Sequence, residues 1–313
     1  AEKRFGRGEL WAIAAALSYS AQGLTLRAAA VDLHPALGAA VMAGPTFLTA
    51  AALILVSPDR RAQLDPRSRE FIGYHTLGLI ALGALISYVA GNTLWVTSMS
   101  LGGLTVTAPA TQSTALWGAL LGLLLLKERL NRRMASGILL FVVGLGALGV
   151  GRGLVSGTTP HWVLALPAGL GAALCWSITN VITRGVLLRG TDRFVALGAS
   201  IMVGLFGLNV SLWAAGNLDA YLTTPPRAYL FLLLAGLFNV SAQVSLTTAL
   251  GLTRLASVSM LTAAGGVLPP LLGALIFGDP LNGLMAVGIA LVIGGAWLLQ
   301  LGRLELYSGE TSG

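Results

Sequence analysis

The chain has 313 residues, of which 55% are hydrophobic and only 10% are charged, and its mean hydropathy is +0.81. A soluble domain carries about 25% charged residues, so this composition excludes a water-soluble globular protein. The formal net charge of +7 would suit a nucleic-acid partner, but the cations cluster at the ends of apolar runs and indicate membrane topology instead. Because these runs are about 20 residues long, they predict an all-α polytopic membrane protein rather than a β-barrel.

Ten apolar segments predict ten transmembrane helices joined by short connections. The longest connection is the polar stretch SPDRRAQLDPRSREF, at residues 57–71. In chain order the predicted spans are 9–31, 36–56, 72–97, 103–125, 134–151, 163–185, 193–215, 227–249, 254–277 and 283–302.

Lysine and arginine predict the orientation of these spans. If the N-terminus is cytoplasmic, 16 of the 19 cations fall in cytoplasmic segments, and only Arg27, Arg152 and Arg227 fall outside. This asymmetry follows the positive-inside rule, and adding or removing one span would destroy it. We therefore expect both termini to be cytoplasmic.

Two stretches of the chain share one pattern, at residues 12–28 and 169–185. Each has an aromatic residue in its middle and an arginine at its end; the pairs are Tyr19 with Trp176 and Arg27 with Arg184. Recurrence of a pattern at a fixed distance indicates that the architecture is an internal repeat.

The ends of the fourth and ninth predicted helices also match. They read LLLLKERLN at 123–131 and ALIFGDPLN at 274–282, so that Glu128 aligns with Asp279. Each half then contains five helices, and because five is odd, the second half must be inverted relative to the first. We predict two inverted five-helix repeats, at residues 1–151 and 152–313, an arrangement typical of secondary transporters.

The repeated stretches at 12–28 and 169–185 and the matching helix ends at 123–131 and 274–282 resemble the drug/metabolite transporter superfamily, and within it the ten-helix EamA-type exporters. Ser87-Tyr88, Trp117 and Trp176 also resemble its exporters of aromatic amino acids. The resemblance implies alternating-access export of aromatic or hydrophobic amino acids and small metabolites across the bacterial inner membrane. It also implies a central cavity lined mainly by helices one, three, four, six, eight and nine. We also expect no cofactor and no nucleic-acid partner, and a monomer whose partners are its substrate and the lipid bilayer.

Uncharged polar and aromatic side chains at mid-span are the candidates for binding substrate. A buried amide needs a hydrogen-bond partner, either a ligand or another helix, and interhelical bonds contribute about 0.6 kcal/mol on average. A tryptophan at mid-depth likewise needs a partner for its N–H, although simple packing is the alternative. The candidates are Tyr19, Gln22, Tyr88, Asn92, Gln112, Trp117, Trp176, Asn180, Asn239 and Gln243.

Pro269 and Pro270 complete the candidate set, because they interrupt the ninth predicted helix. Prolines remove backbone donors and free carbonyl groups one turn back. A broken helix can orient a zwitterion without a charged side chain, since helix N-termini attract carboxylates and free carbonyls accept an ammonium group. A kink that only shapes the packing is the alternative.

The charged residues bear on energy coupling and on the competing function classes. None of the twelve acidic residues lies at mid-span, so a carboxylate-based proton cycle has no evident carrier and we expect facilitated diffusion or exchange. The same absence disfavours efflux of cationic drugs. One cysteine and three scattered histidines indicate neither a metal site nor an intramembrane enzyme. Proton-coupled efflux of drugs or metabolites, and a receptor that does not transport, remain the alternatives.

Overall fold

A computed structural model describes residues 7–29, 33–125, 131–155, 161–252, 266 and 268–310, and these residues are helical apart from short connections. The first half contains α1 Arg7–Ala29, α2 Pro35–Val56, α3 Pro58–Leu64, α4 Tyr74–Ala84, a π-helix Leu85–Asn92, α5 Thr93–Thr111, α6 Thr114–Leu125 and α7 Arg132–Gly153. The second half contains a 3₁₀ turn Trp162–Leu164, α8 Ala165–Leu188, α9 Arg193–Ala214, α10 Ala220–Thr223, α11 Pro226–Leu252, α12 Leu268–Phe277 and α13 Gly283–Glu310.

Local chemistry explains where several of these helices begin. Pro35 stands at the first position of α2, where a missing N–H breaks no helical hydrogen bond. Asn131 caps α7 by accepting from the Met134 N–H at 2.8 Å, and Asp192 caps α9 by accepting from the Phe194 N–H at 2.7 Å. The predicted polar loop at residues 57–71 instead contains a short helix, α3.

Seven stretches of the described chain are long and apolar enough to cross a membrane, which supports a multi-pass membrane protein. They are Pro35–Val56, Tyr74–Gly118, Arg132–Gly153, Trp162–Leu187, Arg193–Ala214, Pro226–Leu246 and Gly283–Gly302.

The predicted count of ten differs from these seven for three reasons. The stretch Tyr74–Gly118 covers two predicted spans, which Gly103 separates by breaking α5 with a φ of 67° and a ψ of −172°. Helix α1 has 23 residues but is not among the seven stretches. The ninth predicted span is described as a helix only in its second part, α12. Ten spans therefore stay a prediction.

Helices α7 and α13 pack against each other in antiparallel fashion through glycines. A Cβ atom built on Gly144 would lie 2.8 Å from the Gly288 carbonyl oxygen, and one built on Gly288 would lie 2.8 Å from the Gly144 carbonyl oxygen. Gly137 and Gly295 approach each other in the same reciprocal way. Backbones this close leave no room for a side chain, as in other membrane-helix pairs with small residues at the contact.

The two ends of this helix pair are fastened by equivalent asparagines. Asn131 donates to the Gly302 carbonyl oxygen at 2.7 Å, and Asn282 donates to the Gly151 carbonyl oxygen at 2.7 Å. Asn282 also caps α13 by accepting from the Met285 N–H at 2.9 Å, as Asn131 does for α7. The same hydrogen bond, from an asparagine side chain to a glycine carbonyl oxygen, therefore occurs at both ends of the helix pair.

The remaining long helices pack in pairs, and five of them share an apolar core. Helix α1 packs on α11, α2 packs on α9, and α8 packs on the π-helix and α5. Large buried side chains from five helices meet in this core, among them Leu26, Leu37, Met99, Leu208 and Leu232. Close packing of such side chains stabilises the contacts between these helices through van der Waals attraction.

Candidate functional site

The third predicted span changes its helical geometry at the candidate residues. Leu85–Asn92 forms a π-helix between α4 and α5, and this segment carries both Tyr88 and Asn92. π-Helices are rare and are frequently found at functional sites, because the extra residue in the turn displaces side chains and backbone groups from regular positions. No sequence pattern indicated this distortion.

The candidates Asn92 and Trp176 meet Trp95, which was not among the candidates, in a group here called the Asn92–Trp176 cluster. The Trp176 Nε1–H donates to Asn92 Oδ1 at 3.1 Å, and the Trp95 and Trp176 rings meet edge to face with centroids 5.6 Å apart. Among the described residues, the Asn92 amide nitrogen has no protein hydrogen-bond partner. The cluster thus presents two indole rings and one amide donor inside a membrane helix pair.

Gly91 allows α8 to approach closely enough for the cluster to form. A Cβ atom built on Gly91 would lie 3.0 Å from Trp176 Nε1 and 3.1 Å from the Cys175 Cβ. One turn further along α8, the Thr179 hydroxyl donates to the Gly83 carbonyl oxygen at 3.0 Å. Glycine and threonine therefore hold α8 against the third predicted span on either side of Trp176.

Three other candidates use their donors to join helices. Gln22 donates to the Met42 sulfur at 3.7 Å, Asn239 donates to the Thr46 hydroxyl at 3.2 Å, and the Trp117 indole donates to the Leu170 carbonyl oxygen at 3.1 Å. In these three side chains, the donor group therefore forms a hydrogen bond between helices. A binding role stays a prediction for each.

The remaining candidates lie on α1, the π-helix, α8 and α11 and between α5 and α6. The Tyr88 ring packs on α9, where a side chain at Gly204 would collide with it. Asn180 is exposed on α8, whereas Tyr19 and Gln243 are partly buried on α1 and α11. Gln112 is partly buried between α5 and α6. The binding roles of these residues also stay predictions.

Pro269 and Pro270 lie in the first turn of α12, which begins at Leu268, and both are buried. Their missing N–H groups cost no helical hydrogen bond there. A role for this helix end in binding a carboxylate stays a prediction. The rest of the predicted break, Gly265 and Val267, lies outside the described residues.

A buried ion pair that the sequence analysis did not assign to the site joins α1 to the α12–α13 connection. Arg27 Nη2 lies 2.7 Å from Asp279 Oδ1, and Arg27 Nε donates to the same oxygen at 3.1 Å. The other carboxylate oxygen accepts from the Leu104 N–H at 2.6 Å. Gly103 provides the break in α5 that turns this N–H toward Asp279, and a Cβ atom there would collide with the carboxylate. Three segments are therefore tied to one carboxylate.

A second arginine lies beside this ion pair. Arg152 is only 7% exposed and lies within electrostatic range of both Asp279 and Arg27. Its Nε has no hydrogen-bond partner within the part of the chain that the structure describes. In the sequence, Arg27 and Arg152 served only to predict topology, and Asp279 only to align the two halves. The signal that could have identified the pair was the repeat itself, because Arg27 recurs as Arg184 and Asp279 as Glu128.

The described residues contain no group of three or more histidine, cysteine, aspartate or glutamate side chains close enough to hold a metal ion. The features that the described helices do bring together are aromatic rings, amides and one buried ion pair. Such groups bind and orient small molecules by stacking and hydrogen bonds.

Comparison with known proteins identifies the family. The EamA-like transporter family matches residues 6–149 and 163–301. No curated protein matches the chain. A solved structure titled only "Crystal structure of protein" matches with a TM-score of 0.58 and 19% identity, covering 95% of this chain and 98% of that one, and at this identity it shows similarity of fold alone. Because the two family matches span most of the sequence, the chain belongs to the EamA-like transporter family, whose members are multi-pass membrane transporters of small molecules.

Proposed function

We propose that this protein exports aromatic or hydrophobic amino acids and related small metabolites across the bacterial inner membrane by alternating access. The Asn92–Trp176 cluster is the observation that carries this proposal. The Trp95 ring on α5, the Trp176 ring on α8 and the Asn92 amide at the end of the π-helix meet here, and the amide nitrogen has no partner among the described residues. In this proposal a flat apolar side chain stacks on the rings and a carboxylate accepts a hydrogen bond from the amide. The sequence also resembles the aromatic amino acid exporter YddG at Ser87-Tyr88, Trp117 and Trp176.

The proposed mechanism exchanges the conformations of two inverted repeats, residues 1–151 and 152–313. The reciprocal glycine contacts between α7 and α13, and the equivalent asparagines at their ends, support this symmetry. In the proposed orientation, with both termini cytoplasmic, the Arg27–Asp279 pair holds the outer end together. By the repeat, we expect Arg184 and Glu128 to form the matching pair at the inner end in the opposite conformation; Glu128 and the Arg184 side chain lie outside the described residues.

Energy coupling in this proposal is facilitated diffusion or exchange. Asp279 is the buried acid at the Arg27 end, and both of its oxygens already accept hydrogen bonds from Arg27 and the Leu104 backbone. These contacts give Asp279 a structural role, because they tie α1 to the break in α5. Proton-coupled efflux is the competing function, and it would require Asp279 to leave Arg27 during each cycle. We propose a monomer that needs no cofactor.

The test is flux of labelled tryptophan, phenylalanine and threonine in proteoliposomes, with and without a pH gradient. We expect tryptophan and phenylalanine to move down their own gradients, and Trp176→Ala to reduce this flux at least tenfold through loss of the ring and of the Asn92 hydrogen bond. Trp213→Ala is the matched control, because Trp213 is 69% exposed on α9. Absence of amino acid flux would contradict the substrate class, and flux only with a proton gradient would contradict the coupling.

A further inference from the structure

The three arginines that fall outside the predicted cytoplasmic segments lie at one end of the molecule. Arg27 and Arg227 line one cavity, and Arg152 lies within electrostatic range of Arg27. Topology alone gives these side chains no reason to gather where cations are fewest. We propose that this space, the Arg27 cavity, is a binding site for a small organic carboxylate with an apolar body. The site is separate from the Asn92–Trp176 cluster.

The size and walls of the Arg27 cavity fit such a ligand. Its volume is about 420 Å³, within the range of small-molecule sites. The C-terminal end of α1 and the N-terminal end of α11 form two sides, and Phe277 at the end of α12 forms a third. Apart from Arg27 and Arg227, the lining is alanine, proline and phenylalanine. Two guanidinium groups on an apolar wall favour a carboxylate with a hydrocarbon or aromatic body over inorganic phosphate.

Among the described residues, the charges around the cavity leave positive potential for an anion. Asp279 is the carboxylate that compensates Arg27, but it is almost fully buried and both oxygens are occupied. Arg227 lies over the Phe231 ring at 5.5 Å, and stacking of this kind leaves the N–H groups at the edge of a guanidinium free to bind. Arg152 is nine-tenths buried with an unpaired Nε and adds a further positive charge nearby.

Occupation of the cavity would act on the Arg27–Asp279 pair. Arg27 uses Nε and Nη2 to hold Asp279, so a ligand carboxylate would bind its remaining nitrogen, Nη1, together with Arg227. The ligand and Asp279 then share one guanidinium, which weakens the contact that ties α1 to the α12–α13 connection. If the proposed transport function holds, this is where a carboxylate substrate would bind on leaving or entering at the outer end.

The experiment is equilibrium dialysis of the purified full-length protein in a neutral detergent with labelled 3-phenylpropionate. We expect binding of this carboxylate and none of 2-phenylethylamine, which has the ring without the acid. Arg227→Gln should raise the Kd about tenfold, or about 1.4 kcal/mol. Arg193→Gln is the matched control, because Arg193 is also exposed near the start of a long helix and stacks on a phenylalanine, Phe194, at 4.8 Å. Equal affinity in Arg227→Gln and the unchanged protein would overturn the proposal.

Two further experiments are needed. The first distinguishes a free carboxylate from a lipid headgroup, and the second distinguishes the Arg27 cavity from the Asn92–Trp176 cluster. If phosphatidylglycerol nanodiscs abolish binding that phosphatidylcholine nanodiscs retain, the cavity takes a lipid headgroup and the proposal fails. If Trp176→Ala abolishes binding while Arg227→Gln leaves it intact, the carboxylate binds at the Asn92–Trp176 cluster, which overturns this site and supports the proposed function. Amino acid flux in proteoliposomes tests the proposed function separately, because a protein without flux can still bind at the Arg27 cavity.

Discussion

The Arg27–Asp279 pair gives the sharpest test of what holds this fold together at one end. In Asp279→Asn the carboxylate becomes a neutral amide of nearly the same size, so the change removes charge while keeping volume. The Asp279 side chain is 2% exposed and that of Arg27 is 19% exposed, so solvent screens this pair weakly. Removing one partner of a fully buried pair costs about 3–5 kcal/mol. Because Arg27 keeps some solvent contact and asparagine can still accept from the Leu104 N–H, we expect a loss of about 1–3 kcal/mol.

The assay is a double-mutant cycle on the free energy of unfolding in detergent micelles, using Arg27→Gln, Asp279→Asn and the double variant. We expect a coupling energy of about 1–2 kcal/mol, within the range for residues in direct contact. The pair of Arg60 and Asp192 is the matched control: its atoms are 3.3 Å apart, and its side chains are 25% and 30% exposed. We expect about 0–1 kcal/mol there, the usual value for accessible pairs. Equal coupling in both cycles would refute the reasoning, because burial would then make no difference.

Two further predictions concern close approach between helices. Gly144→Leu should destabilise the protein by about 1–3 kcal/mol or more, since the added side chain meets the α13 backbone. Gly146→Leu is the control and should be nearly neutral, because no atom lies within 4 Å of a Cβ built there. The unfolding curves of the two variants are compared directly, and equal effects would contradict the packing argument. Gly91→Ala should push the Trp176 ring away from Asn92 and lower tryptophan flux several-fold at an unchanged pH optimum. Gly78→Ala, which has open space at its Cβ, is the control, and flux as high in Gly91→Ala as in that control would separate the cluster from transport.

Much of the fold could be predicted because membrane helices leave a strong one-dimensional signal. The predicted spans 36–56 and 193–215 agree with α2 and α9 to within one residue at each end. Length and hydropathy suffice here because the hydrocarbon core requires about 20 apolar residues and leaves no water to bond an open backbone. The break at Gly103 and the π-helix at Leu85–Asn92 could not be predicted this way, because neither changes the length or the hydropathy of the apolar run.

The candidate site was predicted only in part, for a related reason. Depth in the membrane can be counted along the chain, so Asn92 and Trp176 were both chosen as polar or aromatic residues at mid-span. Their hydrogen bond depends on the rotation of α8 against the third predicted span, and the sequence does not contain that angle. Tyr88 met the same criterion, yet its ring packs on α9. Depth in the membrane therefore predicts which residues are candidates, whereas the rotation of the helices determines which candidates contact each other.

By itself the sequence determined that this is a helical membrane protein of the EamA-like transporter family, because hydropathy and motif spacing are properties of the chain alone. Only the tertiary structure decided which partners the polar residues have. Arg27 and Asp279 are separated by more than 250 residues, and each alone looked like a residue at the edge of a span. They pair because α1 and the α12–α13 connection meet at the Gly103 break. A poorly solvated charge there is stable only beside a charge of opposite sign.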